Sequence, residues 1–259
     1  MANPLRLLSE ANWADSAIIT TGAAAVGSLP ASNLKTDDIH EVWRSTSSSG
    51  DALIVDLGAQ RTIGVVALIN TNVGQNDTIH VEISTSDPTG QDGDAYDSGV
   101  ITADVNPAFA RFVHFVEPVV TGRYLRIGAA MTSLAMEAGR LVVAPTWAPS
   151  RDMRSGFEPL WRDFSVRTRS LGGNEFVDVR PRQRGYRFTI LGLTEAEAQA
   201  EIDDLNRLRG VGRDILICRD KDSDDLGRDT IWGLLEQTVA QRKLEPGHYE
   251  IQVEIYDRV

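Results

Sequence analysis

The side chains best placed to do chemistry in this chain are carboxylates. Asp37-Asp38 lies in an acidic loop, Asp87 to Ser98 (DPTGQDGDAYDS) is a long acidic turn region, and Asp220 to Asp225 (DKDSDD) alternates acids as the start of an EF-hand calcium loop does. Hard cations take oxygen ligands, so each stretch is a candidate cation site. The second has no fixed ligand spacing. The third fails on its own spacing: Asp225 stands where a Gly must make the turn, and Ile231 where a bidentate Glu belongs. An exposed loop between two strands, or a contact loop for a basic partner, is the expected role. His40, His80, His114 and His248 are far apart and lack the two-His helical spacing of a zinc site. Cys218 is the only cysteine, which excludes an intrachain disulfide, and its setting in ILIC reads as a buried small hydrophobe. Gly210 and Gly212 follow an expected helix, whereas a phosphate-cradling loop must open one. There is no G-x-S-x-G elbow, P-loop or dinucleotide fingerprint. The chain is expected to be non-enzymatic, with paired carboxylates for glycoside hydrolysis as the alternative, because such pairing is spatial.

The elements that must position these groups centre on Leu53 to Asn70 (LIVDLGAQRTIGVVALIN). Two β-branched apolar runs, Leu53 to Leu57 and Ile63 to Ile69, flank the turn-forming Gly58-Ala59-Gln60-Arg61 and read as two consecutive core strands. Asp56 interrupts the first run and must face solvent or accept hydrogen bonds, since an unpaired buried carboxylate costs too much. Further strands are expected at Ile79 to Ser84, which alternates strictly, and at Phe109 to Glu117, Arg123 to Gly128 and Glu137 to Ala144. Residues 1 to 30 read as one short strand and a lead-in. Trp43 is expected in the core, anchoring the acidic loop. Short strands with polar turns at this spacing describe an antiparallel sandwich.

The ordered set Ser32-Asn33-Leu34, Trp43-Arg44-Ser45, IVDLG at Ile54 to Gly58, VEIST at Val81 to Thr85 and RYLRI at Arg123 to Ile127 resembles a discoidin-like, coagulation-factor type C module over about residues 29 to 143. That resemblance implies a galactose-binding-like jelly roll that meets glycans or lipid head groups through loops at one end. It implies a calcium ion at the loop holding Asp37 and Asp38, although Asp37-Asp38-Ile39 replaces the family's Asp-Gly-Asn and so lacks the Gly of the tight turn; a solvated acidic turn is the competing reading. Exposed aromatics are the expected glycan contacts, with Trp13, Tyr96 and Phe109 as candidates.

The second half changes character after a connector rich in Pro and Ser. Phe164 to Arg169, Glu175 to Arg180 and Tyr186 to Ile190 alternate as strands with Arg outward. Thr194 and Glu197 form a capping box ahead of the stripe Ala198, Ile202, Leu205 and Leu208, and Gly210 stops that helix. Arg213 to Cys218, Thr230 to Val239 and Tyr249 to Tyr256 return to strands. The expected organisation is mainly β: a jelly-roll sandwich at 1–146, a linker at 147–158, and a smaller β-rich domain at 159–259, a split barrel or sandwich with one helix at 194–209. The order of the last domain is similar to tail-hub and tail-tube folds of tailed bacteriophages and gene-transfer particles, which assemble into rings.

The net charge is −11. Residues 1–146 carry 8 Lys and Arg against 16 Asp and Glu, or −8, and the remainder carries −3. That argues against nucleic acid, whose binders need clustered cations. No apolar run approaches the roughly 20 residues of a membrane span, so no membrane insertion is expected. The combined expectation is a structural component of a phage-like tail tip or baseplate, assembled in the host cytoplasm as part of a virion. Other tail proteins and further copies of the chain would be its partners, and a cell-surface glycan would meet the N-terminal module. Arg167, Arg169, Arg180, Arg182 and Arg184 are the expected assembly face. A free carbohydrate-binding protein is the alternative.

Overall fold

The computed structural model describes residues 5–8, 11–22, 26–47, 49–91, 93–132, 135–151 and 157–258. Residues 152–156 of the expected linker, and 1–4, 9–10 and 23–25 of the lead-in, lie outside them. The strands are β1 (Arg6–Leu8), β2 (Ile18–Thr21), β3 (Trp43–Arg44), β4 (Ser49–Ile69), β5 (Thr78–Ser84), β6 (Tyr96–Thr102), β7 (Arg111–Ala130), β8 (Glu137–Ala138), β9 (Arg140–Ala144), β10 (Thr146–Trp147), β11 (Glu158–Asp163), β12 (Val166–Arg169), β13 (Glu175–Asp178) and β14 (Arg182–Thr194). Helix α1 follows in three contiguous segments, Glu195–Glu197, Ala198–Ile202 and Asp203–Leu208, the middle one π in hydrogen bonding. Then come β15 (Ile215–Cys218), α2 (Leu226–Asp229), β16 (Thr230–Leu235), β17 (Ala240–Glu245) and β18 (His248–Asp257).

Two compact units result: Pro4–Ala148 with Ile217–Thr230, and Pro149–Leu216 with Ile231–Val259. The sequence places all of 159–259 in one domain. The structure instead gives 217–230 to the N-terminal unit, because Ile217 and Cys218 pair with Leu7 and Arg6 of β1 and α2 packs on β7.

The N-terminal unit is built on two unusually long strands, β4 with 21 residues and β7 with 20. They pair antiparallel along most of their length, with register shifts between Asp56 and Arg61 and between Ile63 and Val65. The first half of β4 lies between β2 and the second half of β7, which continues to β5 and β6. The second half of β4 lies between the first half of β7 and β9. A strand that bends at a bulge and passes from one sheet to another makes the corner of a sandwich.

The turn expected at Gly58 to Arg61 is therefore a bulge. Gly58 has φ +76°, a conformation that favours glycine, and the chain bends there without reversing. The expected pair of strands is one strand in two halves, and the expected strands at Phe109 to Glu117 and Arg123 to Gly128 are likewise halves of β7. Asp56 accepts hydrogen bonds from Gly58 N at 2.8 Å and from Arg123 Nε and Nη2 at 2.8 and 3.0 Å. Those bonds fix the bulge, and the Arg123 hydrogen bond foremost holds the Asp56 carboxyl below its ordinary pKa.

Between the layers, Leu53, Val55, Leu57 and Ile63 are buried with Val66, Leu68, Ile79, Val81, Ile83, Leu125, Ile127 and Trp43. The inward parity on β4 switches from odd to even after Ile63, where the pairing with β7 passes from Ile63 opposite Val120 to Val65 opposite Phe115. Each such side chain contributes roughly 1.5–3 kcal/mol on burial. Residues 1 to 30 supply two strands rather than the one expected, since Ile18–Thr21 adds to the edge of β4.

In the C-terminal unit, β18 pairs with β16, β17 and β14, and β14 also pairs with β11, all antiparallel. The capping box of Thr194 and Glu197 is present, and Ala198, Ile202 and Leu205 are buried while Leu208 is exposed. Asn206 clamps α1 by exchanging two hydrogen bonds with the Val239 backbone. The ribbon β12–β13 stands apart as a two-stranded sheet whose eight residues are all exposed.

Candidate functional site

The N-terminal sandwich has an edge at β6, and a cleft opens beside it. Ile101, Thr102, Ala103 and Asp104 form one wall, Arg111 to His114 of β7 another, and Ser223, Asp224, Leu226 and Gly227 a third, enclosing about 190 Å³. Alternation on β7 and packing on the core set the apolar floor: Phe112 is nearly fully buried, and Ile101 and Ala103 lean on the same core.

Three sets of bonds hold the walls. The Tyr96 hydroxyl lies 2.7 Å from His114 Nε2 and ties β6 to β7. Phe112 lies parallel to the His114 ring, with centroids 6.3 Å apart. Burial pushes the His114 pKa down, and burial followed by the nearby Asp97 charge pushes the Tyr96 phenol up, so both groups are neutral near pH 7. On the third wall, Asn106 Nδ2 donates to Asp225 Oδ2 at 2.7 Å, and Arg111 Nη1 donates to Thr230 O at 2.6 Å. Asp225 also caps α2 through Arg228 N at 2.9 Å. The loop between β6 and β7 holds Asp104 at φ +45° and Ala110 at φ +50°. Such left-handed residues cost of order 1–3 kcal/mol and persist only where their surroundings hold them.

Asp104 and Asp224 rim the cleft, both exposed, and nothing among the described residues bonds to either carboxylate. With the Thr102 and Ser223 hydroxyls and a neutral imidazole, they surround an apolar floor with oxygen acceptors and hydroxyl donors. This arrangement suits a small, uncharged, hydroxyl-rich ligand with one apolar face.

A second concavity, of about 200 Å³, lies on the outer face of β5, β6 and β7, beside His80, Val100, Arg126 and Gly128. Its polar groups satisfy one another. His80 Nε2 meets Asp97 Oδ1 at 2.5 Å, and Arg126 Nη1 donates to the buried Glu82 at 2.6 Å. A ligand there would have to displace existing ion pairs, whereas the cleft offers carboxylates that are already free.

The residues singled out from sequence scatter. Neither Tyr96 nor Phe109 is among the residues that line the cleft. Each touches one that is: the Tyr96 hydroxyl meets His114 Nε2, and a Cβ built on Gly227 would lie 3.6 Å from that of Phe109. Trp13 does not act as an open platform. Its Nε1 donates to Thr62 O at 3.1 Å, and the Arg61 guanidinium lies 4.5 Å from its ring centroid. Asp38 accepts from His40 N, closing its own turn, and Asp37 faces Arg140 at 3.7 Å. Among the described residues no group of three or more His, Cys, Asp or Glu side chains could hold a metal ion.

Of the five arginines, Arg184 is buried in its own unit, paired with Asp257 at 3.4 Å and beside the Tyr186 ring, so it is removed from the assembly face. Arg182 pairs with Asp163, Arg180 with Asp178, and Arg169 donates to Gly173 O. Nothing among the described residues bonds to the Arg167 side chain. Cys218 is fully buried, and desolvation pushes its thiol up to about 11.

Sequence reading missed Asp104, weighed His114 only as a zinc ligand, and took Asp224 only as part of the 220–225 loop. His114 sits at an ordinary position of an apolar strand, and the two aspartates are 120 residues apart, joined only by the return of 217–230 to β1 and β7.

Fold and site together define a mainly β protein whose N-terminal sandwich bears an open, carboxylate-rimmed cleft. No protein-family model matches the chain, and no curated protein does. Solved structures with a similar fold include chitosan-binding module 1 derived from a chitosanase/glucanase of Paenibacillus sp. IK-5, at 16% identity and a TM-score of 0.43 over 52% of this chain and 100% of that one. The family 32 CBM from C. perfringens NanJ in complex with galactose is similar at 14% identity and a TM-score of 0.42, covering 54% of this chain and 99% of that one. A Streptococcus pneumoniae fucose binding module is similar at 11% identity and a TM-score of 0.41, covering 52% and 98%. These are distant likenesses, and what those modules bind is a property of those modules.

Proposed function

We propose that the N-terminal unit is a non-catalytic saccharide-binding module whose ligand sits in the cleft between Ile101–Asp104 and Ser223–Leu226. The observation that carries this reading is the pair of free carboxylates, Asp104 and Asp224, over an apolar floor. A sugar ring presents hydroxyls that donate to carboxylates and a C–H face that covers Ile101 and Leu226. A glycan array probed with the full chain, followed by calorimetry on the best saccharide, tests it. Asp104→Ala and Asp224→Ala are each expected to weaken binding by about tenfold, the loss of one hydrogen bond to a charged acceptor. Unchanged affinity in both variants would remove the ligand from this cleft, and an array without a hit would remove the saccharide.

A second reading concerns the C-terminal unit and is favoured by the wholly exposed β12–β13 ribbon: a structural part of a phage-like tail tip or baseplate, in the virion and assembled in the host cytoplasm, with other tail proteins as neighbours. Mass spectrometry of purified particles from the source culture tests it, with peptides of this chain expected at fixed stoichiometry. Their absence from intact particles would end that reading.

A further inference from the structure

The ribbon β12–β13 is the part of the molecule least explained by its own chain. Exposed large hydrophobics concentrate around it: Phe164, Val166, Leu171, Phe176, Val177 and Val179, the last at 79% exposure. Among the described residues each of its strands pairs only with the other, so both outer edges carry unpaired backbone donors and acceptors. Isolated two-stranded hairpins are marginal in water, and open edges recruit further strands. The ribbon needs a partner, and its charges say which one.

Register places Arg169 opposite Glu175 and Arg167 opposite Val177 on one face, and Thr168 opposite Phe176 and Val166 opposite Asp178 on the other. Strand β12 is thus basic and β13 acidic. Pairing β12 with another β12 would set Arg167 and Arg169 beside arginines, and pairing β13 with another β13 would set Glu175 and Asp178 beside acids. Like charges side by side on paired strands destabilise a sheet. Pairing β13 of one copy with β12 of the next does the opposite. It extends the antiparallel alternation, puts each Glu175 between two Arg169 side chains, and lays Phe176 against Thr168 and Val166 of the neighbour.

We infer that the ribbon joins copies of this chain head to tail, the acidic edge of one pairing with the basic edge of the next. Such a contact is heterologous: it closes a ring or runs on as a filament, and it does not make a two-fold dimer. The inference supplies the partner of the ribbon whether or not the cleft binds a saccharide and whatever larger particle holds the chain.

The test is the mass of the full chain by size exclusion with light scattering, across a concentration series. The expected species contains three or more copies of the 28.4 kDa chain. Arg169→Glu and Phe176→Asp, both at exposed positions, are each expected to return it to monomer with the melting curve of the monomeric form unchanged. The double exchange Arg169→Glu with Glu175→Arg restores the alternating row and is expected to restore the assembly. Hydrogen exchange adds a readout independent of charge: amides of 166–169 and 175–178 become protected in the assembled species and not in Phe176→Asp. A parent chain that stays monomeric, a dimer that grows no further, or an Arg169→Glu variant of unaltered mass would each overturn the inference.

Discussion

Strands β4–β7 and β12–β13 are both antiparallel pairs that carry large apolar residues, and they end in opposite environments. In the first pair Val55, Ile63, Leu68, Leu125 and Ile127 are wholly buried. In the second, Val166, Phe176 and Val177 stand in water. The difference lies in what covers them. The bulge at Gly58 and the length of β4 and β7 let one pair of strands supply both layers of a sandwich, so the pair covers itself. The ribbon is short, straight in register and lacks a second layer. Apolar content thus specifies that a strand has surface to bury, and topology decides whether the chain buries it.

Substitutions can break that contrast. Leu125→Ala is expected to cost about 2–5 kcal/mol in chemical denaturation, the range for a large-to-small change in a packed core. Val177→Ala, measured on dilute monomer, is expected to stay within about 0.5 kcal/mol. Equal losses would mean that the ribbon is packed in the monomer. Next in size, Gly139→Ala drives a Cβ into the Ile39 carbonyl and is expected to cost about 1–3 kcal/mol as overpacking. Gly172→Ala in the ribbon turn meets only Ser170 Oγ at 3.9 Å, and its melting temperature should match the parent.

Titration sharpens the same comparison. Burial holds the folded His114 pKa below its ordinary value of 6.5, so the unfolded chain takes the proton first. Stability therefore falls as pH drops below about 6.5, and His114→Gln is expected to flatten that part of a melting-temperature profile. Asp77 acts lower. Burial raises its pKa, but hydrogen bonds from Gly74 N, Thr132 N and Thr132 Oγ1 outweigh burial and hold it below 3.8. Its contribution is complete above the unfolded value and is lost as pH falls through the folded one, a loss that Asp77→Asn should abolish. The smallest effect is on Cys218: with its thiol raised to about 11, it is expected to stay unreactive toward a disulfide reagent at pH 8 until the chain unfolds.

In both units much was legible in local pattern. Ile79, Val81 and Ile83 alternate and are buried, Trp43 is a core residue, and the Thr194–Glu197 capping box opens the helix. The corner at Gly58 was not legible, because two apolar runs look alike whether a turn or a bulge joins them. The cleft was not legible in local pattern. Tyr96 and Phe109 sit behind its lining residues, and Asp104 and Asp224 come to one rim across 120 residues through a segment that leaves one unit for the other, a return that no local signal marks. Arg184 shows the converse error. Its alternation matches that of Arg182, yet its guanidinium ends against buried Asp257, and periodicity does not tell a solvated arginine from a paired one.

The most direct test of the binding account is methyl chemical-shift mapping of the full chain with the saccharide selected by the array. Ile101 and Val100 are neighbours in sequence, but Ile101 lines the cleft and Val100 the outer-face concavity. Saturable shifts at Ile101, Val113 and Leu226 with Val100 unmoved are the expected result. Shifts confined to Val100 and Ala130, or to residues outside both concavities, would contradict the assignment of the cleft as the saccharide site.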